Sequence, residues 1–460
     1  MKIAVLGGGF SGLAACYHLL KKGHQVTVFE KESSPGGLAI GFKEKDWAWP
    51  LEKHYHHFFT NDNEIINLAK ELDLSHSLIF PSSLTSLFYQ NKIYPFNSPL
   101  DILGFPPLSL FARLRLGLGS VFLKLLPAFV GQKLEAFSAW GVAEKIYGHK
   151  TFQLIWQPLL EKKFGSYVKL VNASWFWARI KKRTLKLGYV EGGFQTIADA
   201  LAQKIQALGG KIFFDTTIQQ IKNKGGKWVL QIAGSPVNFR GVGTFSFMNV
   251  LDAAENLSGR PQQFAKEGPV FDAIISTLPT PIFTKLVPNL PKSYVKTLNS
   301  IPHLHALNLV LELKEPLLKN TYWLNINEPS FPFLCVVQHT NFIDKKYYGG
   351  NHILYVSNYL PSDHSYFKKT ARELLSIYLP YLKKINPRFE FNPPTGGKNL
   401  KLFVGPFAQP VFLKNYSQIR PFGKIPLANL YFANLDSVYP WDRGTNYALE
   451  VGRKISELIT

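Results

Sequence analysis

From Lys2 to Leu6 the chain is nearly all apolar, which predicts a short strand buried on both faces. Leu13 to Lys22 then places apolar residues at helical spacing and stops at Gly23. Gln25 to Phe29 predicts a second buried strand, with Glu30 at its end. Strand, helix and strand in that order make a βαβ unit. A positive residue followed by an apolar run is also how a secretory signal opens. Here Gly7, Gly8, Gly9 and Gly12 break the run and the periodic pattern continues past it, so the stretch is expected to belong to the fold.

The same patterns recur far downstream. Ala198 to Ala207 is amphipathic, Gly209-Gly210 stops it, and Lys211 to Phe214 is strand-like. Phe271 to Ser276 predicts a buried strand running into a turn at Thr277-Leu278-Pro279. Leu430 to Ala433 predicts another strand, and Asn434 to Arg443 a turn. A last helix is expected from Gly444-Thr445-Asn446 to about Leu458, with Thr445 as its N-cap and Ala448, Leu449, Gly452, Ile455 and Ile459 on its apolar side. Between Ala233 and Pro269 the periodicity is weak, and a long excursion is expected there.

Length and composition then narrow the class. At 460 residues with 46% hydrophobic residues, the chain is expected to be globular, with two or three domains. Its two cysteines, Cys16 and Cys335, cannot make a disulfide framework and fit a reducing compartment, so a cytoplasmic protein is expected. The formal charge of +21 asks for something acidic. No zinc-finger spacing, RNP-like stretch or basic zipper accompanies it, so nucleic acid is set aside. A small-molecule substrate and an anionic membrane surface remain, the latter placing the protein peripherally on the inner face of a membrane. No run of about 18 residues is apolar enough to predict a membrane span. Two stretches bear on that surface. Residues 98–134 are rich in Leu, Phe and Val with Arg113, Arg115, Lys124 and Lys133 interspersed, and fit either a membrane interface or the apolar wall of a domain. Arg179, Lys181, Lys182, Arg183 and Lys186 form a basic run that fits a lipid-facing or anion-facing patch or, most simply, a solvated face.

The first turn carries the most specific chemistry. Gly7-Gly8-Gly9-Phe10-Ser11-Gly12 is G-x-G-x-x-G between a strand and a helix. Gly7 permits the tight turn, Gly9 lets bare backbone approach a pyrophosphate, and Gly12 lets helix and strand pack closely. Glu30, 18 residues after Gly12, can accept hydrogen bonds from an adenosine ribose. Shortly after come Lys31 and then Gly36-Gly37-Leu38.

An acid followed closely by a glycine pair resembles the FAD-dependent amine oxidase, protoporphyrinogen oxidase and phytoene desaturase superfamily. The resemblance covers roughly residues 1–60, 188–230, 270–280 and 428–460. It implies an α/β fold: a Rossmann-like FAD-binding domain of the GR2 type assembled from residues 1–75, 188–284 and 425–460, and an α+β substrate domain from 76–187 and 285–424. It implies that Gly36-Gly37 runs beside the FAD pyrophosphate, with Leu38 where many members have Arg. It implies that backbone near Ile218 reads adenine, and that the last helix, opening at Thr445 and Asn446, points at the flavin. Asn434-Leu435-Asp436 stands where the family usually has Gly-Asp or Gly-Glu. Neither cysteine sits where the family's cysteinyl-flavin bond forms, so FAD is expected to be non-covalent.

Candidate catalytic residues lie after the glycine pair. Trp47 to Asp62 includes His54, His56 and His57 and is similar to UDP-galactopyranose mutase, in which His56 would be the flavin-side histidine and a proton carrier. These histidines lack metal-ligand spacing, and no metal is expected. Arg443 is expected to contact flavin or an anionic substrate group, or else to pair with Asp442 at the surface. Trp140, Trp156, Trp175 and Trp177 predict an aromatic core or pocket. One dinucleotide motif without a second for NAD(P)H implies oxidation of an apolar or ring-bearing substrate, a porphyrinogen, polyene or amine, with electrons leaving to oxygen, a quinone or another acceptor. A flavin-dependent sugar-nucleotide mutase and a non-catalytic lipid adaptor are the alternatives.

Overall fold

The computed structural model describes residues 1–233, 268–391, 393 and 399–460. The expected excursion between Ala233 and Pro269 lies almost wholly outside the described residues. Lys2–Leu6 and Gln25–Phe29 are strands as the pattern predicts, paired in parallel. The helix between them runs Phe10–Lys21, three residues earlier than the apolar spacing suggests. The periodicity could not see this start, because Gly9 holds extended backbone and serves as the cap without contributing a side chain.

Around this unit a six-stranded sheet is built in the order 211–213, 25–29, 2–6, 273–276, 430–433, 422–424. The first five strands are parallel. Thus Ala273–Ser276, far along the chain, lies directly beside Lys2–Leu6. The sixth, Phe422–Lys424, pairs antiparallel at the edge, although the sequence reading placed it with the substrate segments. Beside Gln25–Phe29, Lys211–Phe213 leads into a three-stranded sheet of Ile218–Lys224, Lys227–Ile232 and Val270–Phe271.

A second, seven-stranded sheet takes its strands from 85–95 and 303–410. It is antiparallel except where Trp323–Ile326 runs parallel to Thr85–Tyr89. Helices between Pro99 and Lys182 pack on one another, and one of them, Gln157–Phe164, packs on the strand His352–Leu360 of this sheet.

The two ends of the chain meet through glycine. The last helix, Thr445–Glu457, lies along the first, and a Cβ on its Gly452 would stand 2.2 Å from the Ser11 carbonyl oxygen. A Cβ on Gly12 would stand 1.9 Å from the Gly7 carbonyl oxygen. Backbone-to-backbone contact of this kind admits no side chain.

Gly452→Ala is expected to destabilise the fold by about 1–3 kcal/mol through overpacking. Gly117→Ala, in the helix Leu110–Leu125 with nothing near its Cβ position, is expected to be neutral or stabilising by up to about 1 kcal/mol. Denaturation midpoints check the pair, and equal effects would contradict the packing account.

Candidate functional site

The C-terminal ends of the parallel strands open into a cavity of about 650 Å³. This is where open α/β sheets place ligands. One end is made of bare backbone. Gly36 N–H donates to the Gly8 carbonyl at 3.0 Å, and Gly9 and Gly36 form a parallel bridge, so the glycine loop and the glycine pair lie side by side. Glu30 is buried at the rim of this cradle. Its carboxylate accepts from Gly8 N–H at 2.5 Å and Glu32 N–H at 2.9 Å, which orients it. Burial pushes its pKa up, against those two hydrogen bonds.

Gly7, Gly9, Phe10, Ser11, Lys31, Gly36, Gly37, Leu38 and Ile218 line the same end together with Glu30. Gly8 and Gly12 stand behind the lining. The N-terminus of Phe10–Lys21 faces the cavity, and no side chain caps it. Uncapped helix N-termini carry free N–H groups and partial positive charge, which suits a diphosphate.

The last helix supplies a second uncapped N-terminus on the wall. Here the sequence expectation needs correcting. Gly444, not Thr445, occupies the N-cap position, and Thr445 is the first helical residue. Its Oγ1 is buried without a hydrogen-bond partner, on a residue that lines the cavity. An orphaned hydroxyl beside a free helix end is what a site for an absent polar group leaves behind. Asn446 does not reach the cavity. Its Oδ1 accepts from Glu64 N–H at 2.9 Å and Ile65 N–H at 3.3 Å, satisfying the start of the helix Asn63–Glu71 instead. Between these ends, Asn434 and Asp436 also line the wall, and Asp436 is held by His303 at 2.8 Å and by the Thr280 hydroxyl.

The other end of the cavity is aromatic and cationic. His54, Tyr55, His56 and His57 pass along it. His56 Nδ1 lies 2.5 Å from the His54 carbonyl oxygen, which can only accept, so Nδ1 carries the hydrogen and Nε2 keeps its lone pair. Burial pushes His56 down to about 4 and His54 and His57 to about 3. His56 is therefore a neutral hydrogen-bond acceptor at neutral pH, and a poor proton carrier. Among the described residues no group of His, Cys, Asp and Glu is arranged to hold a metal ion. Cys16 and Cys335 are buried, and neither lines the cavity.

Arg443 is not a surface ion pair. It lies over the Tyr359 ring, 4.3 Å from its centroid, and donates to the Tyr359 hydroxyl and to Gln409 Oε1 at 3.4 Å. Asp442 pairs instead with Arg179 and accepts from Trp175 Nε1 at 3.1 Å. Burial opposes its charge, but Lys163, Arg179 and Arg443 together hold its carboxyl well below the ordinary range.

Lys163, which the sequence reading passed over, is buried 3.7 Å from Asp442 among Trp175, Tyr359 and Phe164. Burial pushes its amine well below the usual lysine range. Nothing in Lys162-Lys163 distinguishes the two. Lys162 does not line this cavity and donates to the Phe331 carbonyl at 2.5 Å. The basic run is a solvated face only in part, at Arg183 and Lys186, which are exposed. Arg179, Lys182 and Arg183 line the cavity, and Lys181 donates to the Lys124 and Leu126 carbonyls. The tryptophans divide: Trp156 and Trp175 line the cavity, Trp177 is core, and Trp140 lies under Lys169.

Comparison with known proteins agrees with this geometry. A model of the flavin containing amine oxidoreductases matches residues 10–459. A 4,4'-diapophytoene desaturase (4,4'-diaponeurosporene-forming) of Staphylococcus haemolyticus is 47% identical over 51 residues, 11% of this chain and 10% of that protein. The match thus spans about a tenth of the curated relative's length. Among solved structures, an Exiguobacterium sp. 255-15 protein assigned as a protoporphyrinogen oxidase superposes with a TM-score of 0.72 at 13% identity, covering 100% of this chain and 98% of that one. Cyclohexylamine oxidase from Brevibacterium oxydans IH-35A superposes with a TM-score of 0.67 at 12% identity, covering 99% and 98%. These two likenesses concern the fold. The chain belongs to the flavin containing amine oxidoreductase family, and its cofactor is FAD.

Two outcomes follow from the site. Replacing the orphaned hydroxyl by Thr445→Val is expected to weaken FAD binding roughly three- to tenfold without lowering the melting temperature of the cofactor-free protein; an unchanged Kd would contradict the assignment. The three histidines, lowered from an ordinary 6.5, contribute their full stability above that pH and lose it as pH falls toward about 3–4. Glu52, buried with Tyr189 and Phe194 and pushed up to about 7, works oppositely, losing its contribution as pH rises through 7. Melting temperature is therefore expected to fall from pH 7.5 to pH 5, and more steeply in Glu52→Gln. A flat or rising profile would contradict the burial of the histidines.

Proposed function

We propose that this flavin containing amine oxidoreductase oxidises an apolar or ring-bearing small molecule and passes the electrons to oxygen, a quinone or another acceptor. The observation that carries this reading is one cavity with two unlike ends. Bare backbone and two uncapped helix N-termini suit a dinucleotide at one end, and an aromatic chamber lies at the other. FAD, when bound, supplies the acceptor for the electrons removed from a substrate C–H bond.

The chain's own residues do the rest. Trp156, Leu160, Trp175 and Trp323 exclude water from the chamber and give an apolar substrate its contacts. His56 Nε2 accepts a hydrogen bond and orients the group that donates it. Lys163 Nζ is the proton acceptor we assign: burial, with Arg179 and Arg443 nearby, opposes its charge more strongly than Asp442, which Arg179 pairs more closely, favours it. Arg443, fixed on Tyr359, orients whatever partial negative charge the substrate carries.

One observation favours a second reading. Arg183 lines the cavity with no ion-pair partner among the described residues, and with Lys182 and Arg443 it makes a wall suited to a sugar nucleotide's diphosphate. A flavin-dependent mutase would use such a wall.

The test is to mix flavin-loaded protein, without oxygen, with a porphyrinogen, a polyene or an amine and follow the flavin absorbance. One of these is expected to bleach it, and oxygen or a quinone to restore it. If none does, but dithionite-reduced protein isomerises a UDP-hexopyranose, the mutase reading replaces this one. Lys163→Met is expected to retain the colour and slow bleaching by about 10²–10⁴; an unaltered rate would remove Lys163 from the proton-accepting role.

A further inference from the structure

The helix Leu110–Leu125 is turned inside out. Leu116 and Leu123 are buried, and Gly119 faces Ile146 and Tyr147, so one side packs on the protein. The opposite side carries Leu110, Leu114, Leu118, Val121 and Leu125, three or four residues apart, all exposed; Leu118 is 71% and Leu125 75% accessible. Leu100 on the preceding helix, and Phe129 and Phe137 beyond, extend the surface. Eleven of the twenty exposed large hydrophobic residues among the described residues fall within positions 100–137. Isolated exposed leucines need no explanation, but a continuous apolar face does.

Its arginines do not break the face. Arg113 donates to the Leu103 and Leu108 carbonyls, and Arg115 to those of Lys145 and Ile146, which bends both back to the protein. The acids of the stretch are engaged: Asp101 in a capping box with Ser98, and Glu135 with Ser417 and Tyr439. Exposed Lys124, Lys133, Lys145, Arg183 and Lys186 remain around the rim.

Geometry decides between spanning and lying flat. Sixteen residues rise about 24 Å, short of a hydrocarbon core of about 30 Å. Among the described residues no single helix is long and apolar enough to cross, and the following segment, Ala128–Ala136, turns away by 106°. With one side packed on protein, only the other can enter lipid.

The face also adjoins the cavity. Arg183 and Leu185 line the cavity and are exposed. Lys124, at the end of the apolar helix, donates to the Arg183 carbonyl at 3.0 Å, and Lys181 returns bonds to the Lys124 and Leu126 carbonyls. Asn97, just before the helix Pro99–Leu103, lines the cavity as well.

We infer that the apolar face of residues 100–137 seats in the surface of an anionic bilayer, with the cavity opening at Arg183–Leu185 at head-group level, so that an apolar ligand passes between lipid and cavity without crossing water. Charge selects the occupant. A basic rim on a chain of +21 attracts anionic lipid and repels a second copy of itself. The inference concerns binding, and stands or falls apart from the proposed oxidation.

Flotation of the flavin-loaded chain tests it, on vesicles of phosphatidylcholine alone or mixed with phosphatidylglycerol. Roughly tenfold more protein is expected on the anionic vesicles at low salt, declining as salt screens the rim. Leu118→Asp with Leu125→Asp is expected to abolish flotation while the flavin colour is kept. Hydrogen exchange of the unmodified chain is expected to slow within 100–137 when anionic vesicles are added, a readout that needs no variant. Absence of flotation at low salt, flotation indifferent to the double substitution, or exchange unaltered in that segment would overturn the inference. So would a dimer, without flotation, that the substitutions make monomeric, because the face would then be covered by a second copy.

Discussion

The structure depends on main chain meeting main chain at the first turn. Gly8 gives its N–H to Glu30 and its carbonyl to Gly36, and the Gly7 carbonyl presses on Gly12. The Ser11 carbonyl in turn approaches Gly452 of the last helix closely. A side chain at Gly12 or Gly452 would run into these carbonyls. Together these contacts hold three segments (the first turn, the glycine pair and the last helix) within one wall of one cavity, beside the strand Ala273–Ser276 that pairs with Lys2–Leu6. Two free helix ends face that cavity because the packing behind them is this tight.

The cradle was legible in the sequence because its signals are local. Glycine spacing, the strand before it and the acid after it all lie within thirty residues. The later strands at 211–213, 273–276 and 430–433 were legible as apolar runs, but that they join the first two in one sheet came from the family resemblance. What failed, failed through long-range contacts. Thr445 looked like a cap, but Gly444 holds the extended backbone that a cap needs, which leaves the hydroxyl free. Asn446 looked like a ligand contact, and instead it serves a helix that begins nearly four hundred residues earlier. Lys162 and Lys163 read alike, and only the packing of Trp175, Phe164 and Tyr359 separates them.

The same limit governs the apolar helix. Leu110–Leu125 is apolar almost all round, so its periodicity cannot say which side meets the protein. The glycine and buried leucines that decide it, Gly119, Leu116 and Leu123, are a minority of the apolar positions. The basic run from Arg179 to Arg183 misled for a related reason. At a helix end next to a cavity the run divides: Arg179 turns to Asp442, Lys181 folds back on the Lys124 and Leu126 carbonyls, and Arg183 and Lys186 stay exposed.

Everything rests on the dinucleotide cradle, and absorbance tests it most directly. The purified chain, equilibrated with FAD and freed of excess, is expected to hold about one flavin per chain at its single dinucleotide motif and to show the spectrum of the protein-bound chromophore. A colourless protein after that treatment would contradict the account.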